Sequence, residues 1–105
     1  LVPITRGILT TITAELTGTT SPAEVVDAYS RIYENSPFVR ISTEHLPELK
    51  HVVGSNFIDI GFRIDPDRGR IVILSAIDNL LKGAAGQAVQ NLNLMLGFPE
   101  TEGLR

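Results

Sequence analysis

From Ile8 to Leu16 (ILTTITAEL) the side chains alternate, with Ile8, Thr10, Ile12, Ala14 and Leu16 on one face and Leu9, Thr11, Thr13 and Glu15 on the other. A period of two with five β-branched residues in nine predicts a strand. After a Gly18–Thr20 loop, Ser21-Pro22-Ala23-Glu24 has the form of a capping box with proline at the first helical position. Val25, Val26, Tyr29, Ile32 and Tyr33 then recur at helical spacing, predicting an amphipathic helix over Pro22–Asn35 that Pro37 ends. Phe38–Ser42 reads as a short strand, and Thr43–Ser55 as a loop with a short extended piece at His51–Val53. Asn56–Ile64 alternates again, with Ile58, Ile60, Phe62 and Ile64 facing one way and Asp59, Gly61 and Arg63 the other. Asp65-Pro66-Asp67-Arg68-Gly69 carries hairpin turn chemistry, and Arg70–Ile77 is the near-continuous apolar run of a central strand covered on both sides.

The closing segment predicts a helix over Gly83–Leu96 with Gly97 as its stop. Ala85, Ala88, Val89, Leu92 and Leu96 form an apolar stripe, while Gly86, Gln87, Gln90, Asn91 and Asn93 are polar and uncharged. No charge stands between Lys82 and Glu100, although a surface helix ordinarily carries a charged stripe. Two readings follow. One is an internal helix whose amides bond to loops; the other is a helix that packs on a part of the protein outside these residues. The order of elements shows no regular β-α alternation and predicts an α+β fold, a mostly antiparallel sheet with helices on one face.

Composition narrows the classes. The 105 residues suit one small domain, and 43% apolar with 20% charged residues is the balance of a folded chain. A net charge of −3 with no basic cluster argues against a nucleic-acid partner. No apolar run approaches the roughly 20 residues that span a bilayer, and no signal peptide is recognisable, so a cytoplasmic location is expected. Without cysteine there is no disulfide framework and no thiol nucleophile among these residues, and two distant histidines give no metal-ligand spacing. The chain opens on LVPITRG rather than Met, in the middle of what reads as ordered sequence, and is expected to be a piece of something longer.

Four motifs in order along the chain carry a resemblance. Ser75–Asn91 (SAIDNLLKGAAGQAVQN) closely resembles the C-terminal signature of the N-acetyl-gamma-glutamyl-phosphate reductase family. Leu1–Ile8 (LVPITRGI) looks like that family's segment after its catalytic histidine, Leu46–Asn56 (LPELKHVVGSN) like its central loop, and Gly97–Leu104 (GFPETEGL) like its tail. The resemblance implies the last third of an NADP-dependent acyl-phosphate reductase of arginine biosynthesis, with a C-terminal domain of the glyceraldehyde-3-phosphate-dehydrogenase type. In such enzymes a cysteine thiolate forms a thioester that hydride reduces to the aldehyde, with a histidine as acid/base. Neither that cysteine, that histidine nor a dinucleotide loop lies in these residues, so no catalytic residue is assigned and the segment alone is expected to be inactive. The partners it implies are the N-terminal Rossmann portion, on which helix 83–96 is expected to pack, an acyl-phosphate substrate, and further copies of the enzyme through the sheet, for which the Asp59, Gly61, Arg63 face is the candidate. The sister reductase of carrier-protein lysine biosynthesis, aspartate-semialdehyde dehydrogenase and a non-catalytic assembly module are the alternatives.

Site candidates each carry two readings. Asn79 matches the family's Asp-Asn pair and resembles the contact to the nicotinamide carboxamide; a helix N-cap is the alternative. Gly83 allows close backbone approach at the helix start, or is turn geometry. Lys82 offers a cation to the cofactor phosphates, or is a solvated lysine. Arg6 places a planar fork where an anionic substrate group would sit, or pairs with a carboxylate. His51, Ser55 and Asn56, in the KHVVGSN loop, line the substrate site, or anchor the loop. His45 is given no role.

Overall fold

The computed structural model describes residues 2–105, and they form one mixed sheet with two helices. In chain order these are β1 (Ile8–Glu15), α1 (Pro22–Tyr33), β2 (Val39–Ile41), β3 (Ile58–Asp65), β4 (Arg70–Ile77) and α2 (Gly86–Leu96). The sheet order is β1-β4-β3-β2. β1 and β3 run antiparallel to β4, with Ile8 and Ile58 both opposite Ile77, and β2 runs parallel to β3. The expected α+β layer, mostly antiparallel, is therefore present. α1 is the crossover that carries the chain from one sheet edge to the other, as a parallel relation between β1 and β2 demands.

Local chemistry sets the elements. Glu24 N–H donates to Ser21 Oγ and Ser21 N–H to Glu24 Oε2 at 2.6 Å, closing the capping box, and these bonds hold the Glu24 carboxyl below its ordinary pKa. Gly97, at φ +73°, closes α2 through N–H bonds to the Asn93 and Leu94 carbonyls.

Several expectations change. His51–Val53 is not extended: Leu49–His51 is a single tight turn, Val52 lies in the helical region, and Val52 and Val53 N–H both donate to Leu49 O. None of α1 is fully buried; Val25, Val26, Tyr29 and Tyr33 are half-buried and Ile32 is 73% exposed. β4 is central but only half-covered along its middle, and β1 is exposed along its whole length. Within the Asp59, Gly61, Arg63 face, only Arg63 is open. Asp59 is buried in a two-point pair with Arg40, Nε–Oδ1 2.5 Å and Nη2–Oδ2 3.0 Å, and the buried Pro47 lies over Gly61. The chain's own 43–55 segment thus occupies that part of the sheet.

The apolar core is Phe38, Val52, Ile60, Phe62, Ile71 and Ala76, but the largest fully buried side chains are Val52, Asn56 and Asp78. Two of those three are polar, so the centre is held by hydrogen bonds as well as by apolar contact.

α2 agrees with the reading of a helix whose amides bond to loops. Its buried positions are Gly86, Gln90 and Asn93, the polar face, while Val89, Leu92 and Leu96 stand 39%, 51% and 59% exposed. Gln90 accepts from Asn56 Nδ2 at 2.9 Å and donates to Glu100 Oε1 at 2.6 Å; Asn93 Nδ2 donates to the Glu100 and Glu102 carbonyls. Hydrogen bonds to the Asn56 loop and the tail therefore orient the helix, and its apolar stripe is left about a quarter-turn away, facing outward.

Candidate functional site

β4 ends in Asp78-Asn79, and the chain then makes one wide turn, Leu81–Ala85, before α2. Gly83 N–H donates to Asp78 O, Ala85 N–H to Leu80 O and Gly86 N–H to Leu81 O, each five residues back. Ala84, at φ −150° and ψ −105°, breaks the helical path inside this turn. Such wide turns recur at functional sites. The helix expected from Gly83 thus begins at Gly86, because the turn is built around Asp78 rather than around an N-cap.

Asp78 is completely buried and serves three segments. Its Oδ1 accepts from the N–H of Leu80 at 2.8 Å and of Leu81 at 3.1 Å. Its Oδ2 accepts from Gly54 N–H at 2.7 Å and pairs with Arg6 Nη2 at 2.7 Å. Burial by itself raises the carboxyl pKa, but the bonds from Gly54, Leu80, Arg6 and Leu81 outweigh it and the net direction is down. The unfolded state therefore takes up the proton first. The stabilisation is complete above the ordinary aspartate value near 3.9 and is lost as pH falls below it toward the depressed folded value. Urea midpoints followed below about pH 5 should fall with acid, and Asp78→Asn should flatten that limb.

Asn79, next in the chain, accepts from Gly7 N–H through Oδ1 at 2.7 Å, and its Nδ2 makes no hydrogen bond among the described residues. Gly7 has φ +114°, a backbone conformation that strains any residue with a side chain, and a Cβ there would also displace the end of Leu49. Asp78 and Asn79 thus grip the consecutive residues Arg6 and Gly7. Beside them opens a cleft of about 640 Å³, lined by Val2, Ile4, Arg6, Leu9, Leu49 and Asn79 among others. It offers an apolar wall, one guanidinium and one free amide donor pair. Arg6 keeps 33% of its side chain exposed, and its Nε–H is buried without a partner among the described residues.

The structure brings Arg6 and Asn79 together on the cleft; Gly83 lies near Asn79, 4.0 Å from Asn79 Cβ to a Cβ built on that glycine, but is not among the cleft's lining residues. The other candidates lie elsewhere. Lys82 turns inward, its Nζ donating to Gln90 Oε1 at 2.7 Å and lying 5.7 Å from the Phe38 ring centre; burial lowers its pKa, against the pull of Glu100. Asn56 is locked under α2, its N–H on the Arg105 carbonyl at 2.6 Å. Ser55 Oγ donates to Val52 O and accepts from Phe57 N–H. His51 is exposed, and its carbonyl accepts from Arg40. These last three are bonded as loop anchors.

Sequence reasoning missed Asp78 and Gly86. An aspartate two residues before a turn signals an Asx turn, but its bonds to positions 6 and 54 have no local signature. At Gly86 a Cβ would collide with Asn56 Oδ1 and sit 2.8 Å from the Leu81 carbonyl.

Comparison with known proteins agrees with this architecture. The family model described as "Semialdehyde dehydrogenase, dimerisation domain" matches residues 1–79. A protein of Geobacter metallireducens named N-acetyl-gamma-glutamyl-phosphate reductase is 60% identical over 105 residues, 99% of this chain and 30% of that protein. One of Geobacillus kaustophilus with the same name is 52% identical over 106 residues, covering 100% of this chain and 31% of the relative. The crystal structure of aspartate semialdehyde dehydrogenase II from Vibrio cholerae superposes with a TM-score of 0.68 at 22% identity, covering 90% of this chain and 28% of that one, which speaks for the fold. The chain spans about 30% of the length of the curated relatives it matches.

Proposed function

Since the chain belongs to the semialdehyde dehydrogenase dimerisation-domain family, we propose that it is the C-terminal third of an N-acetyl-gamma-glutamyl-phosphate reductase, a cytoplasmic enzyme of arginine biosynthesis. The reaction is N-acetyl-gamma-glutamyl phosphate plus NADPH and a proton going to the semialdehyde, phosphate and NADP⁺. The observation that carries this reading is identity of 50–60% to reductases of that name along the whole chain. The nucleophilic cysteine and the histidine belong to the upstream portion in this reading. This segment supplies the far wall of the cleft, the outward stripe of α2 that docks on the Rossmann portion, and the open β1 side of the sheet for a homo-oligomer contact.

NADPH supplies the hydride, and the chain's own residues fit its nicotinamide end. Asn79 has spent its acceptor on Gly7 and keeps two N–H donors at the cleft, the right polarity for a carboxamide oxygen. Gly83 lets the backbone come close beside it. Arg6 is the group for an anionic part of the substrate, and the same cleft walls keep the two ligands together.

The test is the full-length enzyme run in reverse, following NADPH formed from N-acetylglutamate semialdehyde, phosphate and NADP⁺. Turnover that requires phosphate and prefers this aldehyde over aspartate semialdehyde supports the reading; its absence removes it. Asn79→Asp keeps the acceptor for Gly7 and deletes the donors. It should lower kcat about a hundredfold while Tm moves by only about 2–3 °C. An equal loss of Tm and activity would make Asn79 a cap.

A further inference from the structure

We infer that Asp78 is a positioning residue for anion recognition: its buried carboxylate holds the Arg6 guanidinium at the mouth of the cleft in the one orientation that meets a carboxylate or phosphate oxygen. The inference rests on the reductase reading and deepens it. The first observation is the degree of burial. Asp78 is 0% exposed while Arg6 is 33% exposed, so the pair is a carboxylate sunk in the fold whose cation reaches the surface of the cleft. Three backbone N–H bonds account for Asp78's own place in the fold. The pair with Arg6, whose cation is one-third in solvent, adds little to that stability, which leaves the arginine's position at the cleft as the feature to explain.

The second observation is how completely Asp78 is itself fixed. Three backbone N–H groups, from Gly54, Leu80 and Leu81, hold both its oxygens at 2.7–3.1 Å. An anion held by rigid main chain cannot follow a mobile partner, so the arginine must come to it. The third is what remains on the arginine. Nη2 is engaged with Asp78 and Nε–H is buried with no partner among the described residues, so the outward part of the fork is the part left for a ligand. Gly7, gripped by Asn79, fixes the backbone that carries Arg6. Two neighbouring side chains at the end of β4 therefore set the distance between the guanidinium and the Asn79 amide donors, and through it the spacing of substrate anion and carboxamide.

The experiment is a double-mutant cycle in the full-length enzyme, assayed in reverse with separate KM values for N-acetylglutamate semialdehyde, phosphate and NADP⁺. Arg6→Gln should raise KM for one of the first two about ten- to a hundredfold, and which one identifies the anion as the substrate carboxylate or the phosphate. Asp78→Asn, which retains an acceptor for Leu80 and Leu81, should raise that same KM about tenfold and leave KM for NADP⁺ within about twofold. The double variant should be no worse than Arg6→Gln alone. Asp78→Ser, whose hydroxyl can still cap the turn, should repeat the pattern. Independent, multiplying effects, or a loss spread over kcat and all three KM values, would make the pair a fold anchor and overturn the inference, as would recovery of both Asp78 variants only as unfolded protein. If Arg6→Gln shifts neither KM, the assignment of Arg6 fails and the inference with it, whereas wild type without reductase turnover removes the enzymatic reading itself.

Discussion

Gly86→Ala should destabilise the protein by about 1–2 kcal/mol, the opposite of what glycine-to-alanine does in an ordinary helix. Two effects compete. At an unhindered helical site with φ −63°, alanine gains roughly 1 kcal/mol over glycine through backbone entropy and propensity. Here the added Cβ meets two things at once, the Asn56 amide oxygen and the Leu81 carbonyl carbon and oxygen, both at 2.8 Å. Asn56 is 1% exposed and bonded to Gln90 and to the Arg105 carbonyl, so displacing it breaks those bonds. Leu81 is backbone inside the wide turn, so moving it moves Asp78's partner. Overpacking of this kind costs about 1–3 kcal/mol, occasionally more, and should exceed the propensity gain. Gly83→Ala is the internal comparison: its nearest atoms, Asp78 O and Ile77 Cδ1, lie at 3.4 Å, and stability should change by less than about 1 kcal/mol. Urea denaturation of the two variants side by side checks both signs. If Gly83→Ala also raises KM for the dinucleotide while leaving Tm alone, the glycine is there for the cofactor; stabilisation by Gly86→Ala would mean that the turn and the Asn56 loop are free to move apart.

The elements were legible in the sequence wherever the determinants are local. The capping box at Ser21–Glu24, the alternation of Ile8–Glu15 and the apolar run Arg70–Ile77 each need only near neighbours, and strand ends fell within a residue or two of the structure. Arg6 and Asn79 came from motif resemblance, and the fold places them on one cleft. What stayed hidden depends on contacts between distant residues. The orientation of α2 follows from a bond between positions 56 and 90 and from the tail at 100–102, so a helical wheel alone does not say which face turns inward. Asp78 reads as a turn residue, because nothing in the order of residues shows that Gly54 and Arg6 return to it. The wide turn likewise absorbs three residues that periodicity gives to the helix, Gly83 to Ala85.

The outward stripe of α2 leads to the other large expected effect. Val89, Leu92, Met95 and Leu96 are 39%, 51%, 82% and 59% exposed, and Phe98 beyond the stop adds a further apolar side chain at 54%. Charge is absent from this whole stretch, so nothing on it repels an apolar partner. With roughly two thirds of each curated relative lying outside the matched region, the upstream portion of the same polypeptide is the occupant proposed for this face. In the full-length enzyme Leu92→Glu or Leu96→Glu would then bury a carboxylate where a leucine packed, losing about 2–5 kcal/mol for the side chain removed, with the ionised group adding to it. The expected result is a urea midpoint lowered accordingly and reductase activity lost with it, since the turn carrying Asn79 is joined directly to α2. Asn91→Glu, on an exposed position of the same helix away from the stripe, should shift stability by no more than about 0.5 kcal/mol. Equal, small effects at Leu92, Leu96 and Asn91 would show that the stripe stays in water in the intact enzyme, and the polar inner face would then be all that holds this helix.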